Sequence, residues 1–199
     1  MFFGQSDGGQ RSGRWSSSQQ SRPRKGKDLS ANLTLTLLEA YQGSQRLLNL
    51  GDNTIKISIN PGVKDGQTLR VKGKGNPGMN GGEAGDLLLK ININTDGDYI
   101  RDGDDLTKTV LVDVYTAILG GKINVNTLKG TISVPIKPGT QNNSVLRLKE
   151  MGMPHYGKKG FGNLLIKIQL VLPSYISEKE RELIQQAADL REGEKGVVS

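Results

Sequence analysis

A chain of 199 residues with 34% hydrophobic and 5% aromatic residues against 24% charged falls between a compact globular protein and a polar tail, so a disordered portion is expected. It has no cysteine and one histidine, His155, which excludes a disulfide framework, a thiol nucleophile and cysteine- or histidine-rich metal sites. The net charge of +7 divides into +4 on residues 1–28 and only +3 on the rest, so the nearly balanced body argues against a nucleic-acid surface and leaves any phosphate contact to the tail.

Residues 1–27 are rich in Gly, Ser and Gln and carry the lone Trp15. Without apolar periodicity they cannot bury enough surface to offset the entropy of ordering, and they read as a disordered basic linker. Met1-Phe2-Phe3 leads into polar residues rather than an apolar run, so no secretory or membrane segment is expected and the cytoplasm is the expected location.

At Asp28-Leu29 the pattern changes. Leu33, Leu35 and Leu37 alternate with polar residues, the period of a half-buried strand. Similar runs cover 45–50, 54–59, 68–72 and 87–93, with turns at Pro61-Gly62 and Asp65-Gly66. Leu88 is expected in the core. Leu37–Tyr41 and Val114–Leu119 are each expected to form a short turn of helix before a glycine. The stretch Gly73–Gly85 contains G-x-G-x-x-G, but no helix can open after it to aim amides at a phosphate, and it reads as a flexible surface loop.

The order then repeats. Pro61-Gly62 recurs as Pro138-Gly139, Leu69-Arg70 as Leu146-Arg147, Gly75-x-Pro77 as Gly152-x-Pro154, and Gly85-x-Leu87-Leu88-x-Lys90-Ile91 as Gly162-x-Leu164-Leu165-x-Lys167-Ile168, always offset by 77. Segments 61–93 and 138–170 share 12 of 33 residues without a gap, which makes the body a duplication. The expected fold is mainly β: two tandem homologous β-sandwich-like modules, 28–102 and 103–173, followed by a short helix and tail over 174–199.

The acidic run Asp96, Asp98, Asp102, Asp104 and Asp105 lacks the full calcium-loop pattern and reads as turn caps between the modules. His155 sits in a turn sequence. Ser177 with Glu180 is a capping-box pattern, and Leu183, Ile184, Ala187, Ala188 and Leu190 form one stripe of a helix ending near Gly193. That stripe can dock on the second module or join two chains. No catalytic constellation and no cofactor motif is present, so the chain reads as a binding protein rather than an enzyme. The leucines at 33, 35, 37, 48 and 50 are either the core of a sheet or, some of them, the lining of a groove in which a peptide is added to an open sheet edge.

Asp28-Leu29, Leu33-Thr-Leu35-Thr-Leu37-Leu-Glu39-Ala40-x-x-Gly43, Ile59-x-Pro61-Gly62-Val63-x-Asp65-Gly66-x-x-Leu69-Arg70, Gly85-Asp86-Leu87 and Arg101-Asp-Gly103-Asp-Asp105-Leu106 resemble the carboxy-terminal region of DnaJ/Hsp40 co-chaperones. Ala117-x-Leu119-Gly120, Pro138-Gly139-Thr140-Gln141, Leu146-Arg147-Leu148 and Pro173 continue the likeness through the second module. The resemblance implies two β-rich modules in an elongated chain and a terminal helix that dimerises, here through Leu183, Ile184, Ala187 and Leu190. It implies that unfolded client polypeptides lie in a groove on the first module, lined by Leu35, Leu37, Leu48, Leu50 and Tyr99, and pass to an Hsp70 chaperone whose acidic tail meets Arg46. It implies no cofactor, no membrane and no essential nucleic acid.

Departures from the family pattern shape these expectations. The J domain is missing and Phe2-Phe3-Gly4 resembles the end of a Gly/Phe-rich linker, so the chain is not expected to stimulate Hsp70 ATPase. The zinc-binding C-x-x-C repeats are absent, as in the zinc-free subclasses. Asn163 replaces an aspartate and Asp96 stands where a histidine is frequent. The alternatives are a DNA-associated relative using its basic tail and an oligomerisation module without a client groove.

Overall fold

The computed structural model describes residues 22–51, 53–95 and 97–195; Trp15, the remnant Phe2-Phe3-Gly4, most of the linker and Asp96 lie outside these residues. The fold is mainly β. In chain order, β1 (Leu29–Thr36) leads into α1 (Leu37–Gln42), β2 (Ser44–Leu50), β3 (Asn53–Ile59), β4 (Thr68–Val71) and β5 (Leu87–Asn94). Then β6 (Ile100–Asp102) precedes β7 (Asp105–Asp113), α2 (Val114–Leu119), β8 (Gly121–Thr127), β9 (Gly130–Ile136), β10 (Val145–Leu148), β11 (Leu164–Val171) and α3 (Glu178–Lys195).

The duplication is visible element by element. Moving β1 to β5 by the offset of 77 lays them on β7 to β11, with α1 on α2. The sheets agree in order as well: β1-β5-β4 in the first copy, β7-β11-β10 in the second, each copy adding one two-stranded hairpin, β2-β3 or β8-β9. The core is copied position by position. Leu35 and Val112, Ala40 and Ala117, Ile59 and Ile136, Leu87 and Leu164, and Ile91 and Ile168 are all buried.

Several expectations from the sequence change. Leu37 opens the helical turn expected over Leu37–Tyr41 and so leaves the strand whose alternation it continues: Thr36 caps that helix, accepting the Glu39 amide at 3.2 Å while Glu39 reaches back to the Thr36 amide at 3.0 Å. In β5 it is Leu87, Leu89 and Ile91 that are fully buried and Leu88 that is half-buried, a shift of one position that turns the strand over. Residues 100–102, given to the first module by sequence, pair with β7. Helix α3 runs past Gly193 to Lys195.

The described residues pack as two units, one of 22–31 with 68–89 and one of 32–67 with 90–195. In the first, the glycine-rich stretch is not a loose loop and Arg24–Lys27 do not belong to a disordered linker. The two segments pair through backbone hydrogen bonds: Arg24 and Met79 exchange both amides at 3.0 and 2.9 Å, Gly26 donates to Glu83 at 2.8 Å and Asn76 to Lys27 at 3.0 Å. A Cβ on Gly82 or Gly85 would stand 2.1 or 2.2 Å from a carbonyl oxygen of Arg24 or Lys27, so only glycine permits this approach. Composition alone shows many glycines and not what presses against them.

Buried Asp86 anchors this unit. Its carboxylate accepts Arg70 Nε at 2.8 Å, the Gly73 amide at 2.9 Å and Lys25 Nζ at 3.3 Å, while its own amide donates to Asp28 Oδ1 at 2.8 Å. The Gly73 amide, then the Arg70 guanidinium, hold its pKa down to about 2. In the second unit the matching Asn163 turns both its amides to Asp105 Oδ1, the backbone N–H at 2.5 Å and the side-chain Nδ2 at 3.2 Å.

Candidate functional site

Hairpin β2-β3 belongs to the second unit. Its register sets Arg46 opposite Ile57, Leu48 opposite Ile55 and Leu50 opposite Asn53, so Ser44, Arg46, Leu48 and Leu50 share one face with Ile55, Ile57 and Ile59. At the base of that face Ile57 and Ile59 are buried. Toward the tip Leu48, Leu50 and Ile55 are only half-buried, and Leu47 on the opposite face is 69% exposed. Among the described residues strand β2 pairs with β3 alone, so its outer edge keeps unpaired amides and carbonyls that another extended chain can take.

The duplicate hairpin has lost this character. The positions of Leu47, Leu48 and Leu50 are held by Asn124, Val125 and Thr127, and Val125 is buried. An open aliphatic edge exists in one copy and not in the other.

The remaining residues singled out by the sequence divide into several places. Leu35 and Leu37 are 1% and 4% exposed and lie in the core, offering no surface to a ligand. Arg46 is on the hairpin face, but its guanidinium is paired with Glu39. The Thr36 amide, together with Arg46, lowers the Glu39 pKa. Tyr99 is held by the second repeat: its hydroxyl donates to the Asn126 carbonyl at 2.9 Å, and Lys108 Nζ lies 4.6 Å from its ring centroid. Neither contact is with β2. Ile55 was missed as a site residue, although the two-residue period of β3 carried the signal once its pairing with Leu48 was known.

Helix α3 opens with the expected cap: Ser177 Oγ accepts the Glu180 amide at 3.2 Å and Glu180 accepts the Ser177 amide at 2.8 Å. Leu183, Ile184, Ala187 and Leu190 are all exposed, Leu190 at 73%. Among the described residues no helix is long and apolar enough to cross a membrane, and no three His, Asp or Glu side chains converge as a metal site.

Residues 29–173 match the family described as the DnaJ C terminal domain. The Chaperone protein DnaJ of Haloquadratum walsbyi is 37% identical over 136 residues, 68% of this chain and 35% of that protein. The protein of the same name from Lysinibacillus sphaericus is 38% identical over 68% of this chain and 37% of its own length. Chaperone protein DnaJ 2 of Thermus thermophilus is 36% identical over 168 residues, 84% of this chain and 58% of its own. The chain thus spans between about a third and three fifths of the length of these curated relatives.

Proposed function

Because the chain belongs to the DnaJ C-terminal domain family, we propose that it binds unfolded, apolar segments of client polypeptides, as a chaperone module, and presents them to an Hsp70 partner. The observation that carries this reading is the set of half-exposed leucines beside the free edge of β2, side chains that the duplicate hairpin replaces with Val125 and Thr127. A client strand added to that edge gains main-chain hydrogen bonds whatever its sequence, and its alternate side chains fall beside Leu48, Leu50 and Ile55. A leucine fully buried by such contact contributes roughly 1.5–3 kcal/mol, so two or three support weak, broad recognition. Leu35 and Leu37 act beneath this surface as core, not as contacts.

Arg46 is the residue we assign to the acidic tail of Hsp70. Glu39 already holds it, so the tail must exchange for Glu39 rather than meet a free cation. The exposed apolar stripe of α3 joins two chains, giving two client sites per particle and the gain in apparent affinity that linked sites provide. The activity is binding, with no chemical step assigned to any residue. Fluorescence anisotropy of a labelled, unfolded apolar peptide titrated with the full chain tests it. Saturable binding, weakened by a proline placed centrally in the peptide because strand pairing needs its amide, is the expected result. No binding of any apolar peptide overturns the reading.

A further inference from the structure

A second concave surface lies in the same unit, lined by no residue of β2 and used by nothing above. It is a cavity of about 660 Å³ whose walls include Tyr41, Pro61, Pro154 and Phe161, with Lys158 and Lys159 among its lining residues. The Tyr41 and Phe161 rings stand 6.1 Å apart, tilted by 36°. Lys129 Nζ sits 3.8 Å from the Phe161 ring centroid, adding a third cation. No Asp or Glu lines the cavity.

The site is built in advance rather than left to mobile side chains. Pro154 and Phe161 form an antiparallel bridge that closes the intervening segment into a loop, and the His155 amide donates across it to Gly160 at 3.1 Å. The His155 ring anchors the loop from beneath: Nδ1 lies 2.7 Å from Asp104 Oδ2, and since a carboxylate only accepts, this nitrogen carries the proton. The Pro61-Gly62 turn is pressed against the same loop, for a Cβ on Gly62, whose φ is +84°, would stand 2.3 Å from the Pro154 carbonyl oxygen. Lys129 Nζ is positioned by the Glu150 carbonyl at 2.6 Å.

The duplication supplies an independent argument. At the offset of 77, His155, Lys158, Lys159 and Phe161 correspond to Gly78, Gly81, Gly82 and Ala84. The glycines of the first copy answer to its own close approaches, Gly82 to the Arg24 carbonyl among them, whereas in the second copy the positions of Lys158, Lys159 and Phe161 are exposed and carry cations and an aromatic instead.

From this geometry we infer that the Tyr41/Phe161 cavity binds an acidic peptide segment, an aliphatic side chain packing against the paired rings while flanking carboxylates meet Lys158 and Lys159. An aromatic-floored, lysine-rimmed pocket without a carboxylate complements that combination and rejects a basic peptide.

The test uses the full chain and a fluorescein-labelled peptide of alternating Glu and Leu, with two controls of equal length, Glu replaced by Gln and Leu replaced by Ser. The Glu/Leu peptide is expected to bind more tightly than either control. Lys158→Glu with Lys159→Glu, both exposed and free of packing cost, is expected to weaken it about tenfold or more, and Phe161→Ser several-fold, while excess apolar client peptide leaves it bound. Binding of the Glu/Ser control equal to that of the Glu/Leu peptide and indifferent to Phe161→Ser overturns the inference, because it is generic attraction to lysines. Displacement by the apolar peptide overturns it by putting the peptide at β2. Displacement by an unstructured oligonucleotide at lower concentration than by the unlabelled peptide overturns it in favour of nucleic acid.

Discussion

At the scale of single residues, Asp86 sets the acid response of its unit. Its folded pKa of about 2 lies below the roughly 3.9 of an unfolded aspartate, so the unfolded chain takes up the proton first. Its contribution to stability is therefore complete above the unfolded value and is lost as pH falls from there through about 2. Asp86→Asn, which installs what the second copy has at Asn163, is expected to lower the urea midpoint at pH 7 and to flatten its decline between pH 4 and 2. Equal declines in the two proteins would contradict the assignment. The motif Gly85-Asp86-Leu87 was legible in the sequence, but its work was not. That the carboxylate takes Arg70, Lys25 and the Gly73 amide depends on the folding of residues 24–29 against the glycine-rich stretch, which composition reads as linker and loop. Leu88 shows the same limit in a strand: with Leu87, Leu88 and Leu89 in a row, nothing in the local pattern says which faces in, and burial falls on Leu87 and Leu89.

At the scale of elements, the short helix α1 joins the core strand to the hairpin that carries the proposed site. Its capping box fixes where β1 stops. Thr36→Ala removes the side-chain acceptor of the Glu39 amide and is expected to cost about 1 kcal/mol, read from urea unfolding. It should also loosen Glu39 and so free Arg46, raising the affinity for a peptide ending in acidic residues; Arg46→Ala should abolish that gain. Unchanged affinity in Thr36→Ala would separate Arg46 from the tail. Most elements could be found from period-two alternation and the offset of 77, because strands with one face buried must alternate. At the end of β1 two signals overlap, since Leu37 continues the alternation of Leu33 and Leu35 while opening the helical turn expected before Gly43. The parallel pairing of β7 with β11 was hidden, because pairing across more than fifty residues leaves no local trace.

At the scale of the molecule, the proposal requires two chains and one client edge on each. An 18-residue helix with Leu183, Ile184 and Leu190 at 55, 43 and 73% exposure presents more apolar surface than an unpartnered tail is expected to keep. Removing residues 174–199 is expected to halve the mass seen by light scattering; equal masses, both of a single chain, would contradict dimerisation through α3. The duplication was plain in the sequence, and so was the leucine content of β2. What was not plain was which leucines are spent on the core. The most direct measurement is the paired response of Leu48→Ser and Leu35→Ala, comparing client-peptide anisotropy with urea unfolding of the same proteins. The account predicts that Leu48→Ser stays within about 1 kcal/mol of the parent in stability yet binds the peptide about five- to tenfold more weakly, whereas Leu35→Ala loses about 2–5 kcal/mol. A folded Leu48→Ser protein that binds the peptide as the parent does would contradict it.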